Sequence, residues 1–303
     1  MDLSCLTGTR LLSDGGIGQP WIKDPCIMGI DEAGRGPVLG PMVYAAAFAP
    51  LSEDLSKRAF ADSKTLSAEQ RERLFGSIQE DPLIGYCAEI LSAHHISALM
   101  LGRDRISLNI IASDSTCNII REVLQSGVNI KEVYIDTVGD ADRYRAKLSL
   151  IFPSLEFTVC PKADALYPCV SGASIVAKVI RDRALLQCQK DLGIEGPLGT
   201  GYPHDADTKA WLRASLTPVF GFPAIVRFSW ETCSRILAEQ VGVTWEADEE
   251  EPLEDGSAMV QQRLTFAPAD TSKRSAAVLQ ESSGMGRHAF FRSRKLQCLE
   301  SCL

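Results

Sequence analysis

Between Cys26 and Leu91 the apolar positions of this chain fall in short runs rather than in helical stripes. C-I-M-G-I-D, P-M-V-Y-A-A-A-F-A and I-G-Y-C-A-E-I-L read as three strands, the last with Ile84, Tyr86, Ala88 and Ile90 on one face. Between the second and third, S-A-E-Q-R-E-R-L-F-G-S-I carries a helical stripe of Leu74, Phe75 and Ile78. Ser67 and Gln70 form a capping box at its start. Beyond Ala93 the rhythm becomes helical over 93–101 and 104–125, then gives a strand, E-V-Y-I-D-T, ending at Asp136. A helix over 141–150, a strand E-F-T-V-C and a long helix over about 171–190 follow. Three antiparallel neighbours followed by strands alternating with helices predict an α/β domain, a mixed central sheet flanked by helices.

The flanks are of another character. Residues 1–24 are polar and glycine-bearing, expected as a flexible arm, and the globular pattern is expected over 25–242, more helical after about 193. Residues 246–255 hold seven acids, so 243–284 reads as an acidic linker. Over 285–303, Phe290, Phe291, Leu296 and Leu299 recur at helical spacing among bases, as in an amphipathic tail that docks a partner. Such a basic stretch also suits a membrane surface, but no other feature points to a membrane.

Composition narrows the class. Hydrophobic content of 45% and charged content of 23% suit a globular protein, and no apolar run is long enough for a membrane span. The opening residues lack the pattern of a secretory signal. Ten cysteines stand without a C-x-x-C pair and four histidines without zinc spacing, so reduced thiols inside a cell are expected. A net charge of −8 does not by itself favour a nucleic-acid partner.

The chemistry concentrates where strands stop. Asp31 and Glu32 end the first strand, Asp136 ends the fourth, and Asp164 follows the fifth in K-A-D-A-L-Y-P. If parallel strands bring these ends to one edge, four carboxylates need cations among them, and oxygen ligands select Mg²⁺ or Mn²⁺. For any one acid, a helix cap or a turn is an equally physical account, and Asp164 precedes a helical region. Gly34-Arg35-Gly36 lies just beyond the acid pair, where glycines let backbone approach a ligand and Arg35 offers a phosphate partner. A tight turn between strands is the alternative.

G-I-D-E-A-G-R-G-P-V-L-G-P-M-V-Y-A resembles the opening signature of type 2 ribonucleases H. A-D-S-K-T-L, Y-I-D-T-V-G, K-A-D-A-L-Y-P, S-G-A-S-I-V-A-K-V-I-R-D, G-T-G-Y-P and V-F-G-F-P-A-I-V-R-F-S-W match in order over about residues 25–240, and H-A-F-F matches near the end. The chain is similar to the catalytic subunit of the eukaryotic members. The resemblance implies an RNase H-like fold with a helical C-terminal extension, and two Mg²⁺ or Mn²⁺ ions per site. It implies hydrolysis of RNA in RNA–DNA hybrids and incision 5′ of single ribonucleotides in duplex DNA, leaving 3′-hydroxyl and 5′-phosphate ends. Asp31, Glu32, Asp136 and Asp164 are then catalytic and metal-binding. Gly34, Arg35, Gly36, Ser63, Lys64, Asn109 and Tyr202 are then substrate-binding. Two accessory protein subunits and a nuclear setting in ribonucleotide excision repair and replication primer removal are also implied. A junction resolvase of the same fold has no use for a reader of the 2′-hydroxyl, and a non-catalytic subunit would be expected to have lost one of the acids.

Overall fold

A computed structural model of the chain describes residues 8–14, 19–58, 60, 66–137 and 139–240. Six strands form one sheet in the order β1-β4-β3-β2-β5-β6: β1 is Thr9–Asp14, β2 Cys26–Ala33, β3 Met42–Pro50, β4 Gly85–Leu91, β5 Ile130–Asp136 and β6 Glu156–Cys160. β2, β3 and β4 pair antiparallel, while β2–β5 and β5–β6 pair parallel. This is the mixed sheet the pattern predicts.

The described residues also form eight α-helices: α1 Ala68–Glu80, α2 Ala93–Leu101, α3 Leu108–Gln125, α4 Ala141–Ile151, α5 Ala163–Leu166, α6 Pro168–Asp191, α7 Ala206–Ser215 and α8 Glu231–Ala238. The capping box at Ser67 and Gln70 is present at the head of α1. α3 begins at Leu108 rather than near 104, because Ser107 caps it. α6 begins at Pro168, three residues before the expected start near 171, since proline at a first helical position needs no N–H partner.

The sheet buries both faces, so β3 and β4 are buried at every position. One face holds Met28, Ile30, Phe48 and Val133 with Ile119, Ile120 and Leu148 of α3 and α4. The other holds Ala45, Ala88 and Ile90 with Phe75 and Ile78 of α1 and Ile175, Val176 and Val179 of α6. Gly29 explains how α6 lies so close to β2. A Cβ there would stand 2.2 Å from the carbonyl carbon of Cys169, a contact no side chain survives.

Within the expected flexible arm over 1–24, the described residues 8–14 and 19–24 call for a correction. Thr9–Asp14 pairs antiparallel with β4 and extends the sheet edge, and Trp21 and Ile22 are buried. The Trp21 indole N–H also donates to the Pro82 carbonyl at 2.7 Å. The polar surface of the segment hid a β-edge, since an edge strand needs an apolar pattern on one side at most. Residues 217–221 and 234–240 are the described parts of a second compact unit, in which Thr217 and Gly221 exchange backbone hydrogen bonds of 2.7 and 2.9 Å. The acidic linker and the amphipathic tail lie outside the described residues. All seven cysteines among the described residues are free thiols.

Candidate active site

The parallel half of the sheet sets the geometry. Ile30 of β2 pairs with Ile135 of β5, so Asp31 and Asp136 leave the sheet side by side at the same edge. Asp136 pairs with Cys160 at the end of β6, and the chain then turns through Lys162, at a left-handed φ of 58°, into α5. That turn carries Asp164 back to the edge, while the Ala163 N–H donates to Asp136 Oδ1 at 3.1 Å. Asp164 therefore reaches the site from the first turn of a short helix rather than from a strand end.

Asp31, Asp136 and Asp164 each offer a carboxylate oxygen within 4.8 Å of the others. Asp31 and Asp164 are buried, at 5% and 2% exposure. Burial, with the negative neighbours adding to it, pushes the Asp31 carboxyl up to about 6, against hydrogen bonds from the Ser174 side chain and the Glu32 N–H that favour its charge. The Glu32 amide lies 2.8 Å from Asp31 Oδ1. Three crowded carboxylates with buried oxygens, and oxygen as the sole ligand type, fit a hard divalent cation.

Glu32 is half-buried and lines the same cleft, but it stands outside this trio. Alternation along β2 sends Asp31 toward α6 and Glu32 toward the α3–α4 side. The site thus wraps around the end of a strand and draws acids from both faces of the sheet. The cleft has a volume of about 720 Å³, and its lining also includes Arg143 and Lys147 of α4. Lys147 Nζ donates to Ser113 Oγ at 2.7 Å. Cations and acids thus line one cleft.

Arg35 reaches into this cleft and is braced there. One Nη donates to the Tyr44 hydroxyl at 3.2 Å and the other to the Asn109 side-chain oxygen. Asn109, exposed at the head of α3, is therefore committed in part to holding Arg35. Gly34 adopts a φ of +77°, and a Cβ there would lie 2.7 Å from the Pro41 carbonyl oxygen, so the turn requires glycine. Tyr202 is 43% exposed and packs its ring edge against Gly36, where a Cβ would meet it at 3.1 Å. Its loop is tied down by Thr208, whose hydroxyl donates to the Leu198 carbonyl at 3.0 Å and accepts from the Gly201 N–H at 2.9 Å. Hydrogen bonds from Thr200 and Thr208 hold the Asp205 carboxyl down at about 2.

The structure thus brings Asp31, Glu32, Arg35, Asn109 and Asp136 onto one cleft, with Asp164 in the acid trio and Gly34, Gly36 and Tyr202 about the adjoining turn. Ser63 and Lys64 lie outside the described residues. Sequence reasoning assigned no role to Ser174, Tyr44, Arg227 or Trp230, all of which touch functional groups. S-G-A-S and V-R-F-S-W carried the signal for Ser174, Arg227 and Trp230 as ordered motifs without a spacing rule to interpret them.

A family model described as Ribonuclease HII matches residues 28–233. A ribonuclease H2 subunit from Arabidopsis thaliana is 49% identical over 286 residues, covering 92% of this chain and 96% of the relative. The corresponding ribonuclease H2 subunit from Homo sapiens is 48% identical over 230 residues, covering 74% and 77%. Among solved structures, the ribonuclease H2 of Pyrococcus horikoshii OT3 superposes with a TM-score of 0.59 at 32% identity, over 70% of this chain and 96% of that one. Because the family match runs unbroken from β2 through the acid trio and the glycine turn to Cys233, the chain belongs to the ribonuclease HII family and is a ribonuclease H enzyme.

Proposed function

We propose that this chain is the catalytic subunit of an endoribonuclease that cuts RNA paired with DNA and incises 5′ of single ribonucleotides embedded in duplex DNA. The observation that carries the reading is the acid trio of Asp31, Asp136 and Asp164, of which Asp31 and Asp136 line the same cleft as the braced Arg35 of the glycine turn. Asp31, Asp136 and Asp164, with Glu32 beside them, are the residues that would hold Mg²⁺ or Mn²⁺. Two such cations, when bound, supply Lewis acidity at a phosphodiester and an activated water for its in-line hydrolysis.

The chain's own residues do the rest. Arg35, fixed by Tyr44 and Asn109, orients the phosphate next to the ribonucleotide. Arg143 and Lys147 bind backbone phosphates in the cleft, which offsets the acidic surface of a chain with net charge −8. The glycine turn brings backbone polar groups to the 2′-hydroxyl, the group that distinguishes RNA from DNA. Tyr202 packs on the sugar that follows. Products carry 3′-hydroxyl and 5′-phosphate ends. Two accessory proteins assemble with the chain, with residues 285–303 as its docking segment. Ribonucleotide excision repair and primer removal in the nucleus are the setting.

The test is a labelled DNA duplex with one ribonucleotide, incubated with Mg²⁺ and the full chain, alone and with its accessory proteins. Cleavage 5′ of the ribonucleotide, abolished in Asp31→Asn and by chelator, is the expected result. No cleavage of this duplex or of an RNA–DNA hybrid in any assembly, with Mg²⁺ or Mn²⁺, would sink the reading.

A further inference from the structure

Arg227 is fully buried, and among the described residues no carboxylate is paired with it. A buried guanidinium without a counter-ion costs several kcal/mol unless hydrogen bonds and a polarisable neighbour compensate it. Its compensation is specific. Nε donates to the Gly40 carbonyl at 2.9 Å, Nη1 to the Arg35 carbonyl at 3.1 Å and Nη2 to the Gly34 carbonyl at 2.5 Å. Its carbon centre sits 4.8 Å from the centroid of the Trp230 ring, and the Trp230 indole N–H donates to the Gly36 carbonyl at 3.0 Å. Three consecutive carbonyls of the glycine turn are therefore held from behind by two side chains of one V-R-F-S-W segment.

In a trans peptide the C=O of one residue and the N–H of the next point in opposite directions, and the described backbone contains no cis bond. Fixing the Gly34 carbonyl on Arg227 thus turns the Arg35 N–H away from it. Fixing the Arg35 carbonyl does the same for the Gly36 N–H. The third peptide ends in Pro37, which has no N–H to offer. Neither the Arg35 nor the Gly36 N–H has a hydrogen-bond partner among the described residues. The segment is anchored on both sides, since the Arg227 N–H donates to the Val38 carbonyl at 2.9 Å and the Gly40 N–H to the Ile225 carbonyl at 2.7 Å.

We propose that Arg227, with Trp230, is a positioning residue that presets the Gly34–Gly36 turn, so that the Arg35 and Gly36 amides face the ribose of the bound ribonucleotide before substrate arrives. The inference rests on the reading of the turn as the 2′-hydroxyl site. A planar fork with three filled directions suits this task, and a lysine cannot replace it, because an ammonium cannot span carbonyls on three residues in one plane. The cation also lies behind the turn, where it raises the positive potential met by an approaching phosphate.

The test uses the full chain, in the assembly that cleaves, carrying Arg227→Lys, Arg227→Gln or Trp230→Phe. Trp230→Phe keeps a ring under the guanidinium and loses only the bond to Gly36, so it guards against a variant that fails to fold. Two duplexes of one sequence are compared, with and without a single ribonucleotide, and their binding is measured in chelator. Arg227→Lys is expected to lower kcat/KM at the ribonucleotide about 100-fold, and Trp230→Phe about 10-fold, on the scale of one or two lost hydrogen bonds. For Arg227→Lys and Trp230→Phe, which keep the charge behind the turn, affinity for the all-DNA duplex stays within about twofold, because phosphate contacts are untouched. A purely structural role would weaken both duplexes together, and that result overturns the proposal, as does a folded Trp230→Phe with unchanged preference. The amide resonances of Arg35 and Gly36 give a readout independent of cleavage. Should the wild type not distinguish the duplexes, the functional reading falls. Those resonances then decide the positioning claim alone, moving in Trp230→Phe if it is right and staying fixed if it is wrong.

Discussion

Two buried charges flank the glycine turn, Asp31 before it in sequence and Arg227 hydrogen-bonded to it, and the fold treats them in opposite ways. Burial, with Arg181 nearby, pushes the Arg227 guanidinium down to about 9, which still leaves it cationic at neutral pH. Each of its three nitrogens donates to a carbonyl and its face lies on an indole, so its compensation comes from within the chain. Asp31 receives two hydrogen bonds and faces two more carboxylates, and its ionised form is left at a disadvantage. One charge is complete within the chain and organises the scaffold. On the proposed reading the other is complete only when a cation binds, which is how a scaffold charge and a working charge can be told apart.

That contrast can be broken most sharply by neutralising each in turn. Asp31→Asn should lower cleavage at least about a thousandfold, the scale of losing a group that stabilises developing charge. The same change should raise the stability of the metal-free protein at pH 7 by up to about 3 kcal/mol, since it removes the cost of ionising a carboxyl whose value is raised from 3.8 to about 6. Arg227→Met should act with the opposite sign, destabilising by about 3–5 kcal/mol, because it orphans buried carbonyls. Chemical denaturation of both variants in chelator checks the pair of signs.

pH sharpens the comparison further. An acid whose value is raised on folding favours the folded state while protonated and penalises it once ionised. Without divalent ions, the stability of the wild type should therefore fall as pH rises from about 4 through about 6, by up to about 3 kcal/mol. Adding Mg²⁺ or Mn²⁺ at pH 7 should reverse the fall, and Asp31→Asn should flatten the profile. Thermal melts across pH, with and without the ion, decide it.

Smaller effects follow at the turn. Gly34→Ala forces a φ of +77° on a residue with a Cβ that meets Pro41, so a loss of about 1–2 kcal/mol or more is expected, with ribonucleotide cleavage falling in step. Tyr202→Ala should leave the melting temperature nearly unchanged, since the ring is half-exposed, yet cut cleavage about tenfold by removing one stacking contact. A Tyr202 variant that loses stability and keeps full activity would reverse its assignment.

How much of this was legible in the residues differs by group. The strands and the acids at their ends follow from period-two runs that stop on carboxylates, so Asp31 and Asp136 could be placed at one edge once parallel pairing was inferred. Asp164 was visible as an acid but not as a helical one, because the left-handed turn at Lys162 leaves no mark on apolar rhythm. The edge strand Thr9–Asp14 was missed because its polar text resembles a loop. Arg227 and Trp230 lie beyond any local pattern. Their partners sit almost two hundred residues away in sequence, and an arginine in a loop reads as surface until its burial is known.

The pairing of β2 with β5 has a further consequence during synthesis. Asp31 is made early, Asp136 more than a hundred residues later, and Asp164 and Ser174 later still. A chain emerging from the ribosome N-terminus first holds an isolated acid pair until that parallel pairing can close, and parallel pairing of distant segments is among the slower folding events. On the proposed reading, hydrolytic competence is withheld until the domain is nearly whole, since a nascent fragment ending before residue 164 lacks part of the acid trio.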